Sequence, residues 1–79
     1  MQRLYKTDIV ALKKILVERE INTITELSAI SDVNYNTLNL IFNGKIQPSA
    51  YVMERLVKTL CISPENAGKI FFSQYLRIA

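Results

Sequence analysis

Ile24-Thr-Glu-Leu-Ser-Ala-Ile-Ser-Asp-Val-Asn-Tyr-Asn-Thr-Leu-Asn-Leu-Ile-Phe-Asn-Gly-Lys45 is the segment from which the architecture of this chain can be worked out. Thr23, just before it, can accept a hydrogen bond from a backbone N–H two or three residues on, and Glu26 stands at the capping-box position, so a helix starts at about Ile24 and runs to Ile30. Ser31-Asp32-Val33 leaves room only for a tight turn. Asn34 is a good N-cap for a second short helix from Tyr35 to Phe42, and Asn43-Gly44 stops it, because both residues tolerate the left-handed conformation common past a helix end. Leu38 and Ile41 point inward with Val33 at the turn, which leaves Tyr35, Asn36, Asn39 and Leu40 facing out.

Upstream, Ile9, Leu12, Ile15 and Leu16 recur at helical spacing with Lys13, Lys14, Glu18 and Arg19 mostly on the other side, and Thr7 or Asp8 can cap that helix, which ends near Glu20. Downstream, Lys45-Ile46-Gln47-Pro48 reads as a loop. Ser49 caps a fourth helix with Val52, Met53, Leu56, Val57 and Leu60 inward; Ser63-Pro64 starts a fifth, to about Ser73, that buries Ala67, Ile70 and Phe71. Five short helices with brief connections predict an all-α fold, a compact five-helix orthogonal bundle, as one domain over residues 1–79.

The chain's 79 residues, 49% of them hydrophobic and 22% charged, fit one small globular domain. A formal charge of +3, from ten bases and seven acids, suits an anionic partner without the excess of a purely electrostatic binder. One cysteine and no histidine rule out an intramolecular disulfide and a Cys/His zinc site. The polar start Met1-Gln-Arg-Leu-Tyr-Lys6 does not read as a signal peptide, and no run approaches the ~20 apolar residues of a membrane span. The expected location is therefore cytoplasmic, with no membrane partner, cofactor or metal. Without a Gly-rich phosphate loop, a ligand cluster or a histidine, nothing argues for an enzyme or a small-molecule substrate.

The outward face of the second helix of the opening segment has chemistry of its own. A helix of about nine residues is about 13 Å long, and the major groove of B-DNA is about 12 Å wide. Asn can pair bidentately with adenine, Tyr can donate to a base or phosphate or pack on a thymine methyl, and Leu40 can meet a methyl group. Sequence reading is feasible here without charge.

Leu27-Ser28, Asp32-Val33, Leu38 and Ile41, at this spacing, resemble the helix-turn-helix of the lambda-repressor and Cro-like DNA-binding domains. Phe42-Asn43-Gly44 followed by Tyr51 extends the likeness, which covers roughly Leu12 to Phe71. The resemblance implies the same five-helix bundle. It also implies base reading by Tyr35, Asn36 and Asn39, and phosphate contacts at Thr23, Asn43 and Ser49. Other readings stand beside these: Asn34 is a cap, a base contact or a DNA-backbone contact, Asn43 a helix stop or a phosphate contact, and the three outward residues base readers or a solvated face. Three positions depart from the family pattern. Ser28 replaces the usual Ala and is small enough to keep the helices close; Asp32 replaces Gly and tolerates the left-handed turn less well; Ile24 replaces a Gln that clamps phosphate to the reading helix.

Lys45, beside the reading helix, and Arg3 and Lys6, in a flexible arm, are the expected phosphate neutralisers. Lys13, Lys14, Lys58, Lys69 and Arg77 read as solvated faces, and Cys61 as a small buried hydrophobe. Phe72, Tyr75, Leu76 and Ile78 give the end of the chain more apolar surface than one short helix can cover. The tail at 74–79 is then either a dimerisation contact, as a helix extension or a strand, or a segment folded over its own core. The resemblance implies a sequence-specific regulator, phage or prophage Cro-like or repressor-like, in a bacterial cell or phage-infected host. It would occupy operator double-stranded DNA as a homodimer and block RNA polymerase. The alternative is a protein-interaction module, anti-repressor-like or antitoxin-like, that keeps the fold.

Overall fold

The computed structural model describes the backbone of residues 4–78 and the side chains of residues 6–73. The elements run β1 (Leu4–Lys6), α1 (Ile9–Glu18), α2 (Ile24–Ser31), α3 (Tyr35–Phe42), α4 (Ala50–Leu60), α5 (Pro64–Phe71) and β2 (Ser73–Ile78). The expected five helices are all present, and α3 has the expected bounds.

Each helix starts where a short polar side chain accepts an otherwise unpaired backbone N–H. Asp8 takes Ala11 at 3.1 Å, Thr23 takes Glu26 at 3.1 Å, Asn34 takes Asn36 at 2.8 Å, Ser49 takes Val52 at 3.3 Å and Ser63 takes Asn66 at 3.2 Å. Glu26 completes the start of α2 by accepting the N–H of Asn22 at 3.0 Å. Of the two caps open at α1, Asp8 serves; Thr7 is buried and donates its hydroxyl to Gln47 Oε1 at 2.8 Å.

One core takes the inward stripe of every helix. Leu12 and Leu16 of α1, Leu27 of α2, Leu38 and Ile41 of α3, Leu56 and Leu60 of α4 and Ile70 and Phe71 of α5 are buried together, with Val33 and Ile62 added from the turns. Two arginines tie helix ends across this core. Arg55 Nε donates to the Ser31 carbonyl and Arg19 Nε to the Leu60 carbonyl, each at 2.9 Å, so the carbonyls that end α2 and α4 have partners.

The ends of the chain depart from the reading of the sequence. β1 and β2 form an antiparallel ribbon with Leu4 opposite Ile78 and Lys6 opposite Ser73, irregular in register between them. Lys6 therefore belongs to a paired strand rather than to a flexible arm; Arg3 lies outside the described residues. The tail is the strand β2, paired with β1 of its own chain, and α5 stops at Phe71, short of Ser73. The Asp8 N–H donates to the Ile70 carbonyl at 2.6 Å, and Gln47 Nε2 donates to the Phe71 carbonyl at 2.6 Å, so the loop after α3 is pinned to both ends. Phe72 is 53% exposed; the side chains of Tyr75, Leu76 and Ile78 lie outside the described residues.

Cys61 is a second correction. It is exposed, because it is the left-handed residue (φ 55°) just past α4, and Ile62 takes the buried position beside it. Among the described residues no helix is long and apolar enough to cross a membrane.

Candidate nucleic-acid interface

The turn between α2 and α3 is locked from both sides. Asp32 adopts the left-handed conformation (φ 60°, ψ 32°) that the turn requires, at a backbone cost of about 1 kcal/mol that Asp bears better than most residues. Its N–H donates to the Ser28 carbonyl at 3.0 Å. The Ser28 hydroxyl donates to the Val33 carbonyl at 2.6 Å, so Ser at this position bridges the turn as well as fitting the close helix approach. Val33, Leu27, Leu38 and Ile41 then seal the angle between the helices. Ile24, where the family pattern has Gln, is half-buried and packs on the core.

This lock presents α3 with Tyr35, Asn36, Asn39 and Leu40 exposed and Leu38, Ile41 and Phe42 buried. The outer face carries a phenol and amides and no charge. At its far end α3 closes with Gly44 at φ 73°, where the Gly44 N–H donates to Ile41 and the Lys45 N–H to Leu40. Lys45 is left exposed in the loop just beyond.

The caps keep donors in reserve. Thr23 and Ser49 accept from their own helices through the hydroxyl oxygen, and each hydroxyl still has its hydrogen to give. Asn34 accepts the N–H groups of Asn36 and Thr37 through Oδ1, which leaves its Nδ2 available. Capping and donating to an anion are thus compatible at these three positions. Asn43 differs: its Nδ2 turns back on Asn39, 2.8 Å from the main-chain oxygen and 3.3 Å from Oδ1.

A shallow cleft brings Thr23, at the start of α2, together with Asn39 and Asn43, at the end of α3; Lys13 of α1 stands at its rim, and Leu16, Ile24 and Phe42 also line it. Lys45 and Ser49 lie outside this cleft. Lys13 is exposed, as expected, and its place beside this cleft is what the sequence did not show. A helical wheel shows that it faces solvent but not that it shares a cleft with Asn39 and Asn43 of the α3 end.

A family model described as the Cro/C1-type HTH DNA-binding domain matches residues 11–67. The chain belongs to this family. The matched residues hold most of α1, the whole helix-turn-helix and α4, and the first half of α5, while both strands of the ribbon fall outside. No curated protein and no solved structure matches the chain. As a Cro/C1-type domain it is a double-stranded-DNA-binding module, and α3 is the second helix of its helix-turn-helix, directly after the turn.

Proposed function

We propose that this Cro/C1-type domain is a sequence-specific transcriptional regulator of phage or prophage kind that occupies operator DNA and so blocks RNA polymerase in the cytoplasm. The observation that carries the reading is the exposed, uncharged outer face of α3, held by a turn in which every element is bonded or buried. Tyr35, Asn36 and Asn39 enter the major groove and read base edges. The free hydrogens of Thr23, Asn34 and Ser49 and the ammonium groups of Lys45 and Lys13 hold phosphates, together with the unpaired N–H groups of the first turns of α2 and α4.

Two copies on a two-fold operator would double the number of bases read, with half-sites about 34 to 36 Å apart. The exposed Phe72, with Tyr75, Leu76 and Ile78 of β2, is the contact proposed between them. One observation favours a second reading, a protein-binding module on the same fold: Val10 and Val17 stand 64% and 75% exposed on the outer side of α1.

Selection of bound sites from random duplex tests the proposal. A two-fold symmetric site and salt-sensitive affinity are expected; no salt-sensitive binding to any duplex would overturn it in favour of the protein-binding module. An enriched but asymmetric half-site, bound by a species that sediments as a monomer, would remove the dimer. Lys45→Ala should weaken binding to all sequences alike and reduce the slope of log affinity against log salt by about 0.9.

A further inference from the structure

We infer that Asn43 sets which base Asn39 reads, by fixing the orientation of the Asn39 carboxamide; the inference rests on the proposal that α3 enters the major groove. The two residues lie one helical turn apart at the exposed end of α3. Asn43 Nδ2 is anchored 2.8 Å from the Asn39 main-chain oxygen, which also accepts the Asn43 backbone N–H at 3.0 Å. From that anchor the same amide nitrogen reaches Asn39 Oδ1 at 3.3 Å. The acceptor corner of the Asn39 amide is therefore turned toward the helix end. Its donor corner, Nδ2, has no partner among the described residues.

A free asparagine can swing its amide to show either corner to a base, and the adenine pairing needs both. Held as it is here, Asn39 leads with a donor. In the major groove that favours bases with an acceptor at the edge, guanine with O6 and N7 or adenine with N7, over cytosine, which presents an exocyclic amine alone; Oδ1 keeps its second lone pair, so the adenine pairing stays open. Asn43 has its amide nitrogen engaged by two oxygens of Asn39, and its own oxygen is an acceptor, which a phosphate cannot use. It is thus a positioning residue for base reading and not a phosphate contact.

Site selection with the wild-type chain and three variants tests this. Asn39→Ala should erase discrimination at one base position, a loss of about 5- to 150-fold. Asn43→Ala should weaken the preference at that same position, leave the other positions intact and leave the salt slope unchanged. Asn43→Asp gives up the anchor on the Asn39 main-chain oxygen but puts an acceptor beside the Asn39 amide, which draws Nδ2 inward and turns Oδ1 out, so the preference should move toward cytosine. Any loss of affinity from the added charge falls on all bases alike, and the ratio between bases is the quantity read.

An unchanged ratio in both Asn43 variants would overturn the inference, as would a uniform loss from Asn43→Ala, which would return Asn43 to the phosphates. A measurement without DNA separates this failure from failure of the DNA reading itself. In nitrogen-15 spectra of the free protein, the Asn43 side-chain amide should exchange more slowly than that of Asn36 and shift in Asn39→Ala. Equal exchange for the two amides would overturn the inference whatever the DNA experiments show.

Discussion

The molecule contains the same turn twice. Between α2 and α3 run Asp32, left-handed at φ 60°, then Val33, buried, then Asn34, which caps the next helix. Between α4 and α5 run Cys61, left-handed at φ 55°, then Ile62, buried, then Ser63, which caps the next helix. In each, the left-handed residue donates its N–H to the residue four before it, Ser28 or Val57. The helices that the two turns lead into are unlike. The first turn of α3 has Tyr35 and Asn36 and no acid, whereas α5 opens with Pro64, which has no N–H to offer, and Glu65, which repels an anion. The turn is a way to pack two short helices; its use as a reading device depends on the face that the second helix shows.

The buried residue of each turn should give the largest effect. Ile62→Ala should lower unfolding stability by about 2 to 5 kcal/mol, and Val33→Ala, which has one carbon fewer to lose, by roughly 1 kcal/mol less. Urea unfolding measures both. DNA binding, at a temperature where both variants are folded, separates the turns further: Val33→Ala should also loosen base preference, because it seats α3, and Ile62→Ala should not. Equal loss of preference from the two would mean that the α4–α5 turn also belongs to the reading surface.

The second position of each helix after the turn tests the faces directly. Asn36→Ala should remove about 1 to 3 kcal/mol of discrimination at one base position. Glu65→Ala, its counterpart on α5, should leave discrimination at every position unchanged. Site selection with the two variants reads this, and a positional change from Glu65→Ala would erase the distinction drawn between the helices.

These contrasts also explain what could be read in the sequence. The bounds and inward face of α3 were legible because they rest on local chemistry, Asn34 before it, Asn43-Gly44 after it, and Leu38 and Ile41 at helical spacing. The first turn was legible for the same reason. Its twin was not: Leu60-Cys61-Ile62 reads as three apolar residues in a row, and nothing in them announces that the middle one turns left-handed and faces water. The ribbon was hidden because Leu4 and Ile78 are partners from opposite ends of the chain, and a strand of three residues carries no pattern of its own. Within the interface, the exposure of Tyr35, Asn36 and Asn39 came from period alone. The cleft that Lys13 shares with the α3 end needed the folded chain, and the tie between Asn43 and Asn39 was masked by the simpler role of Asn43 as a helix stop.

The Ser28 hydroxyl is the one bond across the first turn with no counterpart in the second, where Val57 holds the equivalent place. Ser28→Ala should therefore cost about 1 kcal/mol, because the half-buried Val33 carbonyl loses its partner while the helix approach is preserved. Val57→Ser should not gain that amount, since it exchanges an apolar side chain that packs on the core for a hydroxyl. A neutral Ser28→Ala in thermal unfolding would show that water replaces the bond, and the two turns would then be energetically alike.

The left-handed residues give the smallest effect and the finest test. Glycine there relieves the backbone strain but adds freedom to the unfolded chain, so the two terms oppose each other at roughly 1 kcal/mol each. Cys61→Gly should come out neutral to about 0.5 kcal/mol stabilising, because the thiol's contact there, Sγ to the Lys58 carbonyl at 3.9 Å, is long and exposed. Asp32→Gly should gain less or lose slightly, since Asp is among the residues that enter the left-handed region most easily. Paired denaturant titrations would resolve the order. If Asp32→Gly were instead the clearly stabilising one, the first turn would be the more strained of the two, and the departure from glycine at that position would be a cost carried by the turn rather than a tolerated substitution.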